Sequence, residues 1–244
     1  MSLFITFEGP EGSGKSTQAR YLAEYLQNAG YPAILTREPG GTPISDAVRR
    51  LVLDGQHTNM EPTTETLLFA AARAQLVGEV IAPYLNLGGI VICDRYADST
   101  FAYQGYGLGR NLAELREITR FATSGLTPDL TLFLDLPVEE GLERKRRQRD
   151  GSRERRELQQ LTLPLPHLPP AMPAASEHWN RLDAREVEYH ERVRNGYLEM
   201  IAAAPDRWRV LDARIDRDAL AEQIVQTIRP ALAQVKRLNG EAGL

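Results

Sequence analysis

Residues Gly9 to Thr17 read Gly-Pro-Glu-Gly-Ser-Gly-Lys-Ser-Thr and fit the pattern G-x-x-x-x-G-K-[ST]. What flanks the pattern makes it constraining. Ahead of it, Leu3-Phe4-Ile5-Thr6-Phe7 is an apolar stretch that ends at glycine and proline, and reads as a buried strand. Behind it, Ala19, Leu22, Ala23 and Leu26 recur at helical spacing, with Gly30 and Pro32 as stop signals. A strand, a glycine-rich turn and a helix N-terminus together form an anion site, because backbone N–H groups converge there and the helix dipole favours negative charge. Lys15 would reach the outer phosphates of a nucleotide and Ser16 would place its hydroxyl on Mg²⁺. The expected phosphate loop is therefore Gly9, Pro10, Glu11, Gly12, Ser13, Gly14, Lys15, Ser16 and Thr17. An ordinary glycine-rich turn with an exposed lysine is the bland alternative, and the strand and helix on either side argue against it.

Four more apolar runs read as strands: Ala33–Thr36, Ile90–Cys93, Leu130–Leu134 and Trp208–Leu211. Helical patterns separate the five runs, which predicts an α/β fold of three layers, a five-stranded parallel sheet with helices on both faces. Ligands of such sheets bind beyond the carboxyl ends of the strands. The residues that follow the runs are accordingly the informative ones: Glu8 to Lys15, Arg37 to Thr42, Asp94-Arg95-Tyr96 and Asp212-Ala213-Arg214.

At 244 residues the chain fits one large α/β domain, and a 42% hydrophobic content is ample for its core. A formal charge of −4 supplies no basic field for general nucleic-acid binding. One cysteine, Cys93, excludes an intramolecular disulfide framework and suits a reducing compartment. No signal-peptide pattern precedes the first strand and no apolar run reaches the roughly 18 residues of a membrane span, so a cytoplasmic protein without a membrane partner is expected.

Asp94 closes a buried apolar strand, the position that serves Mg²⁺ in phosphate-loop proteins; a helix N-cap is the alternative. Arg95, beside it, could bridge two phosphates with its permanently charged fork, or make a structural ion pair. Residues from about Thr63 to Leu85 read as one long helix on which Phe69 and Arg73 share a face. A ring beside a fork of donors can stack on a nucleobase and bond its carbonyls. A core phenylalanine followed by a solvated arginine would give the same spacing.

Phe7-Glu8-Gly9 with the loop, Arg37-Glu38-Pro39-Gly40-Gly41-Thr42, Phe69 with Arg73, and Asp94-Arg95-Tyr96 followed by Ser99 and Ala102-Tyr103-Gln104 together resemble the bacterial thymidylate kinases. The resemblance runs in order from about residue 3 to 145 and from about 180 to 214. It implies a P-loop NTPase fold with a lid, ATP and dTMP as substrates, Mg²⁺ as cofactor and a homodimer. It further implies that Glu11 holds the acceptor's sugar hydroxyl, that Phe69 stacks on thymine, and that Arg73 bonds the base carbonyl with Gln104 close by. Tyr103 would crowd the 2′ side of the sugar, and Pro39, Ser99 and Arg95 would lie along the acceptor. Members of this type have no arginine inside the phosphate loop and carry that charge on the lid, which agrees with Gly12 at the loop position.

Arg144, Lys145, Arg146, Arg147 and Arg149 form a basic run behind Glu139, Glu140 and Glu143. Glu140–Arg144 and Glu143–Arg147 have i,i+4 spacing, so salt-laced solvated pairs account for most of these charges. Arg149 is the expected contact to the transferred phosphate, and Arg144 would lie over adenine with Asp212 and Ala213. The chain is read as a single domain, 1–244, whose lid region (about 142–181) departs from the family pattern by a proline-rich insertion at about 151–176. Proline at that density opposes helix and ladder alike and predicts an exposed excursion. Gly105-Tyr106-Gly107-Leu108-Gly109 looks like a dinucleotide fingerprint but does not follow a strand, which removes that meaning.

Phosphoryl transfer depends on positioning and charge neutralisation. A monophosphate acceptor, with a second pKa of about 6, is largely dianionic at neutral pH and needs no general base. None of the four histidines stands beside a motif, which suits such an acceptor better than a hydroxyl. The expected catalytic set is Lys15, Arg95 and Arg149, with Ser16 and Asp94 for Mg²⁺. The rivals are another nucleotide or deoxynucleoside kinase on the same scaffold, and a nucleotide-dependent switch or binding module without turnover.

Overall fold

The computed structural model describes residues 1–147, 150, 182–183 and 185–237. Arg149 and the proline-rich stretch at 151–176 lie outside them. Five strands, β1 (Leu3–Glu8), β2 (Ala33–Arg37), β3 (Ile90–Asp94), β4 (Leu130–Asp135) and β5 (Trp208–Asp212), form one sheet in the order β2-β3-β1-β4-β5. Every pairing is parallel, as the alternation of strands and helices predicts. All six residues of β1 are buried, because the strand is central in the sheet and covered on both faces.

Strand periodicity divides the core. Leu3, Ile5 and Phe7 point to one side, where they meet Ala19, Leu22 and Leu26 of α1 (Lys15–Asn28) and Leu220, Ile224 and Ile228 of α9 (Arg217–Leu232). Phe4, on the opposite face, packs with Leu76, Val77, Ile81, Val91 and Tyr96. A third cluster, including Tyr103, Phe133, Tyr197 and Trp208, joins β4 and β5 to α8 (Val187–Ala203). Bidentate bonds of 2.8 Å from Arg194 to Asp135 tie α8 to the end of β4.

Four of the strands run past their last apolar residue to a charged one, Arg37, Asp94, Asp135 or Asp212, and β1 likewise ends on Glu8. Ladder pairing continues through these positions, as in Phe7 with Asp94 and Asp135 with Asp212. The backbone is satisfied by its neighbour strand whatever the side chain, so charged groups are held at the sheet's rim with strand-like rigidity.

Beyond α2 (Pro43–Leu53), the helix expected from Thr63 to Leu85 is present but not uniform: α3 (Pro62–Leu76) widens into a π-helical turn (Val77–Ile81) before α4 (Ala82–Asn86). Pro83 has no N–H to offer the preceding turn, and a local change of hydrogen-bond register accompanies it. By length and composition, Pro62–Asn86 reaches what a membrane crossing requires, which corrects the expectation that no segment does. In this fold Leu76, Val77 and Ile81 are buried against the sheet. The short α5 (Ala97–Thr100) runs into a second π-helical turn (Phe101–Gly107), followed by α6 (Leu112–Thr123). A Cβ on Gly107 would lie 2.6 Å from the Tyr189 ring, so this glycine serves helix packing against α8. The helical residues 138–147 form α7. There Arg147 pairs with Glu143 as the spacing predicts, whereas Arg144 reaches across to the Ala213 carbonyl at 3.0 Å and makes no pair with Glu140 among the described residues.

Candidate active site

The loop after β1 turns through left-handed conformations at Gly12 (φ 71°) and Gly14 (φ 88°), the latter capping α1 without a side-chain partner. The first amides of α1 are thereby left pointing into the loop, the arrangement that binds phosphate. Lys15 lies back along the loop and donates to the Pro10 carbonyl at 2.7 Å and the Ser13 hydroxyl at 3.2 Å. Gly12 touches α7 so closely that a Cβ would stand 2.2 Å from the Gly141 carbonyl, and a Cβ on Gly141 would stand 2.1 Å from that of Glu11.

Ser16 donates its hydroxyl to Asp94 Oδ2. The other oxygen, Asp94 Oδ1, is buried without a hydrogen-bond partner. A hydroxyl beside an unsatisfied carboxylate oxygen is a hard-oxygen donor set and fits Mg²⁺. Among the described residues no group of three or more His, Cys, Asp or Glu side chains could hold a metal, so most ligands of such an ion would come from phosphates and water.

Beside the loop stands a network around Arg95, which has a left-handed backbone (φ 68°) fixed by a 2.9 Å bond from its N–H to Phe7 O. Its guanidinium donates to Glu11 Oε1 at 2.7 Å and, at 3.3 Å each, to Gly9 O and Ser99 Oγ. It also lies over the Tyr103 ring, 4.8 Å from the centroid, while the Tyr103 hydroxyl donates to Glu11 Oε1 at 2.8 Å. Arg95 thus joins the phosphate loop to the residues expected along the acceptor. Burial alone would push the Glu11 carboxyl up, but Arg95, Lys145 and Lys15 outweigh it and hold Glu11 well below the usual carboxylate range.

Glu8 is fully buried and accepts from Tyr96 N at 2.8 Å, Ser99 Oγ at 2.7 Å and Tyr197 Oη at 2.6 Å. Burial pushes its carboxyl upward, with Asp98 adding to the effect and Arg95 opposing it. Arg73 is 2% exposed. It donates to Glu38 Oε2 at 2.7 Å, Thr100 Oγ1 at 3.0 Å and Tyr96 O at 3.2 Å. Burial raises Glu38 to about 7 against the pull of Arg73. Phe69, one turn before Arg73, is half-buried. Gln104 gives its amide N–H to Glu65 Oε1 at 2.9 Å, and Arg185 pairs with Glu65 Oε2 at 2.7 Å. Pro39 follows Glu38 through a cis peptide bond and accepts from Arg49 at 2.9 Å. On the far side, Arg144 and Ala213 meet as described, and Asp212 is held by Arg214 at 2.9 Å.

The rim therefore brings together Glu11, Arg95, Ser99 and Tyr103 beside Lys15, sets Ser16 against Asp94, and joins Arg144 to Ala213. Arg149 lies outside the described residues. Several side chains bonded to these residues have no role that the sequence alone predicts. Glu8 and Glu38 were quoted in motifs, and their places directly at strand ends were the available signal. Lys145 was one of a run of similar charges, and Glu65, Arg185, Asp183 and Tyr197 had no local pattern to mark them.

A parallel sheet with a glycine loop between its central strand and the following helix, and a cation-lined rim beside that loop, defines a P-loop nucleotide-binding protein. The sequence model of one family within that class, "Thymidylate kinase", matches residues 7–163. A thymidylate kinase of Herpetosiphon aurantiacus is 77% identical over 239 residues, covering 98% of this chain and 100% of its own. That of Roseiflexus castenholzii is 62% identical, with 98% of both chains covered. The crystal structure of thymidylate kinase from Ehrlichia chaffeensis superposes with a TM-score of 0.67 at 28% identity, covering 93% of this chain and 98% of that one. The chain belongs to the thymidylate kinase family, and its fold is the P-loop NTPase fold that the sequence predicts.

Proposed function

We propose that this chain transfers a phosphoryl group from ATP to dTMP, giving dTDP and ADP by direct in-line displacement. The observation that carries the reading is Arg95: one guanidinium contacts the phosphate loop, at Gly9 O and the Glu11 carboxylate, and also Ser99 Oγ on the acceptor side. A cation so placed can neutralise charge between two phosphates that meet end to end.

In this reading Lys15 and the loop amides hold the donor phosphates. Glu11 accepts from the sugar hydroxyl, Phe69 stacks on thymine, and Arg73 and Gln104 face its polar edge. Tyr103 fills the 2′ side, Pro39, Ser99 and Arg95 border the acceptor, and Arg144 with Asp212 and Ala213 borders adenine. Ser16 and Asp94 would hold Mg²⁺, partly through water, and the ion when bound neutralises donor phosphate charge. No side chain has to remove a proton, since the acceptor monophosphate is already dianionic at neutral pH. The region of about 142–181 serves as the lid, with Arg149 as its contact to the transferred phosphate. The protein acts in the cytoplasm as a homodimer without nucleic-acid or membrane partners. The Phe121 ring, 86% exposed and beside Ala74 and Gly78, is an apolar surface that supports a second copy.

The test is a coupled ADP-release assay with ATP and each natural nucleoside monophosphate. ADP is expected to form fastest with dTMP, and comparable rates for all acceptors, or none for dTMP, would reject the assignment. Phe69→Ala should raise the KM for dTMP about tenfold, since stacking on a base contributes roughly 1–3 kcal/mol. Its half-buried ring makes a small loss of stability the expected cost. An unchanged KM would remove Phe69 from the acceptor site.

A further inference from the structure

Among the described residues of the basic run, Lys145 is the one that is buried. Its side chain is 9% exposed and donates to Glu11 Oε2 at 3.1 Å and to Asp183 Oδ1 at 2.6 Å. Helical geometry puts it there. Gly141 and Lys145 are four residues apart on one face of α7, and the Gly141 backbone abuts the Glu11 carbonyl. The two oxygens of Glu11 are therefore divided: Oε1 serves Arg95 and Tyr103, and Oε2 serves Lys145.

That division matters when an acceptor arrives. Its phosphate is a stronger partner for a guanidinium than the 3.3 Å bonds from Arg95 to Gly9 O and Ser99 Oγ. If Arg95 turns to the phosphate, Glu11 loses a cation just as a dianion enters beside it. Lys145 stays, because Asp183, 1% exposed, anchors it from behind. We propose that Lys145 is a positioning residue for the acceptor: it keeps the Glu11 carboxylate charged and in place while Arg95 is committed to phosphate. Glu11 can then bond the 3′-hydroxyl, the only free hydroxyl of a deoxyribose 5′-phosphate. The inference rests on the functional reading above and adds to it a residue that never touches substrate.

The charged and titratable groups around Glu11 are Arg95 after β3, Tyr103 from the second π turn, Lys145 from α7 and Lys15 from α1. His190, from α8, stands in the same field. Removing Lys145 takes away one of the cations that hold Glu11 low, so the carboxylate takes up a proton at higher pH than in the native protein.

The experiment measures kcat and KM for native protein, K145M and K145R from pH 6 to 9, with dTMP and with 3′-deoxythymidine 5′-monophosphate. K145M is expected to raise the KM for dTMP about tenfold at pH 7, the scale of one charge-assisted hydrogen bond, with the KM for ATP within about twofold. The penalty should grow as pH falls toward 6, shrink to about twofold for the acceptor without a 3′-hydroxyl, and be largely restored in K145R. A K145M protein whose KM for dTMP is within about twofold of native, or whose losses are equal for both acceptors at every pH, overturns the proposal. Should K145M fail to fold, K145Q/D183N removes both charges together and is held to the same outcomes. Native protein that turns over dTMP while K145M behaves like it defeats this proposal alone, whereas native protein without dTMP turnover defeats the functional reading and this proposal with it.

Discussion

Lys15→Ala lowers kcat for phosphoryl transfer about 10²- to 10³-fold while the protein keeps its fold. The magnitude is that of removing one preorganised donor from a site where charge develops, roughly 3–4 kcal/mol. Lys15 is suited to that role because the residue is only 6% exposed and its ammonium already lies along the loop. It brings no reorganisation cost at the moment of transfer. Its hydrogen bonds to Pro10 and Ser13 join a charged donor to neutral oxygens, roughly 1.5–3 kcal/mol each, and removing a buried cation returns part of that through its lost desolvation cost, so the net loss of stability should be modest. Rates of ADP release and a thermal melt of the same preparation test both halves. A kcat near that of the native protein would remove Lys15 from the reaction.

Arg73→Ala has the larger effect on stability. Arg73 and Glu38 form an ion pair whose side chains are 3% and 5% exposed, and removing the cation leaves a buried carboxyl with no compensating charge. Breaking such a pair costs about 3–5 kcal/mol. In a domain of this size that lowers the melting temperature by roughly 6–20 °C. The pH dependence has a definite sign. Glu38 already sits at about 7 in the folded protein, above its ordinary 4.5, and loss of Arg73 moves it further up. A carboxyl raised by folding binds its proton in the native state, so the deficit is full above the folded pKa and shrinks as pH falls toward 4.5. The melting gap between native protein and R73A should therefore be wider at pH 8 than at pH 6. A second deletion, E38A, should recover part of the loss. In assays R73A should raise the KM for dTMP more than that for ATP. Equal effects on both nucleotides would argue against Arg73 facing the base, and a gap independent of pH would argue against a stranded Glu38.

The parts of this fold that were legible in the sequence are those whose cause is local. The phosphate loop needs glycines at fixed offsets, and the strands need short apolar runs, so both are visible in a few residues. The sequence places all five strand ends one residue short, because hydrophobicity stops where the ladder does not. Ionic partners were not legible. Glu11 and Lys145 are separated by 134 positions, and Glu8 and Tyr197 by 189. No periodicity connects them, and Lys145 looked like its neighbours until α7 turned it inward. The Glu140–Arg144 pair was expected from spacing alone. Tertiary structure offered Arg144 a backbone carbonyl instead, and that contact prevailed over a solvent-exposed pairing of small value.

The abutting glycines at 12 and 141 have a bearing on how this enzyme family can diversify. The Gly141 carbonyl leaves no volume for even a methyl group on Gly12, the Glu11 carbonyl leaves none on Gly141, and Gly12 also needs φ 71°. An arginine cannot be installed in the nucleotide loop of this chain by a single change, since α7 would first have to retreat. Placing a charged side chain in that loop is then a concerted event across two distant segments, and single-residue drift cannot accomplish it.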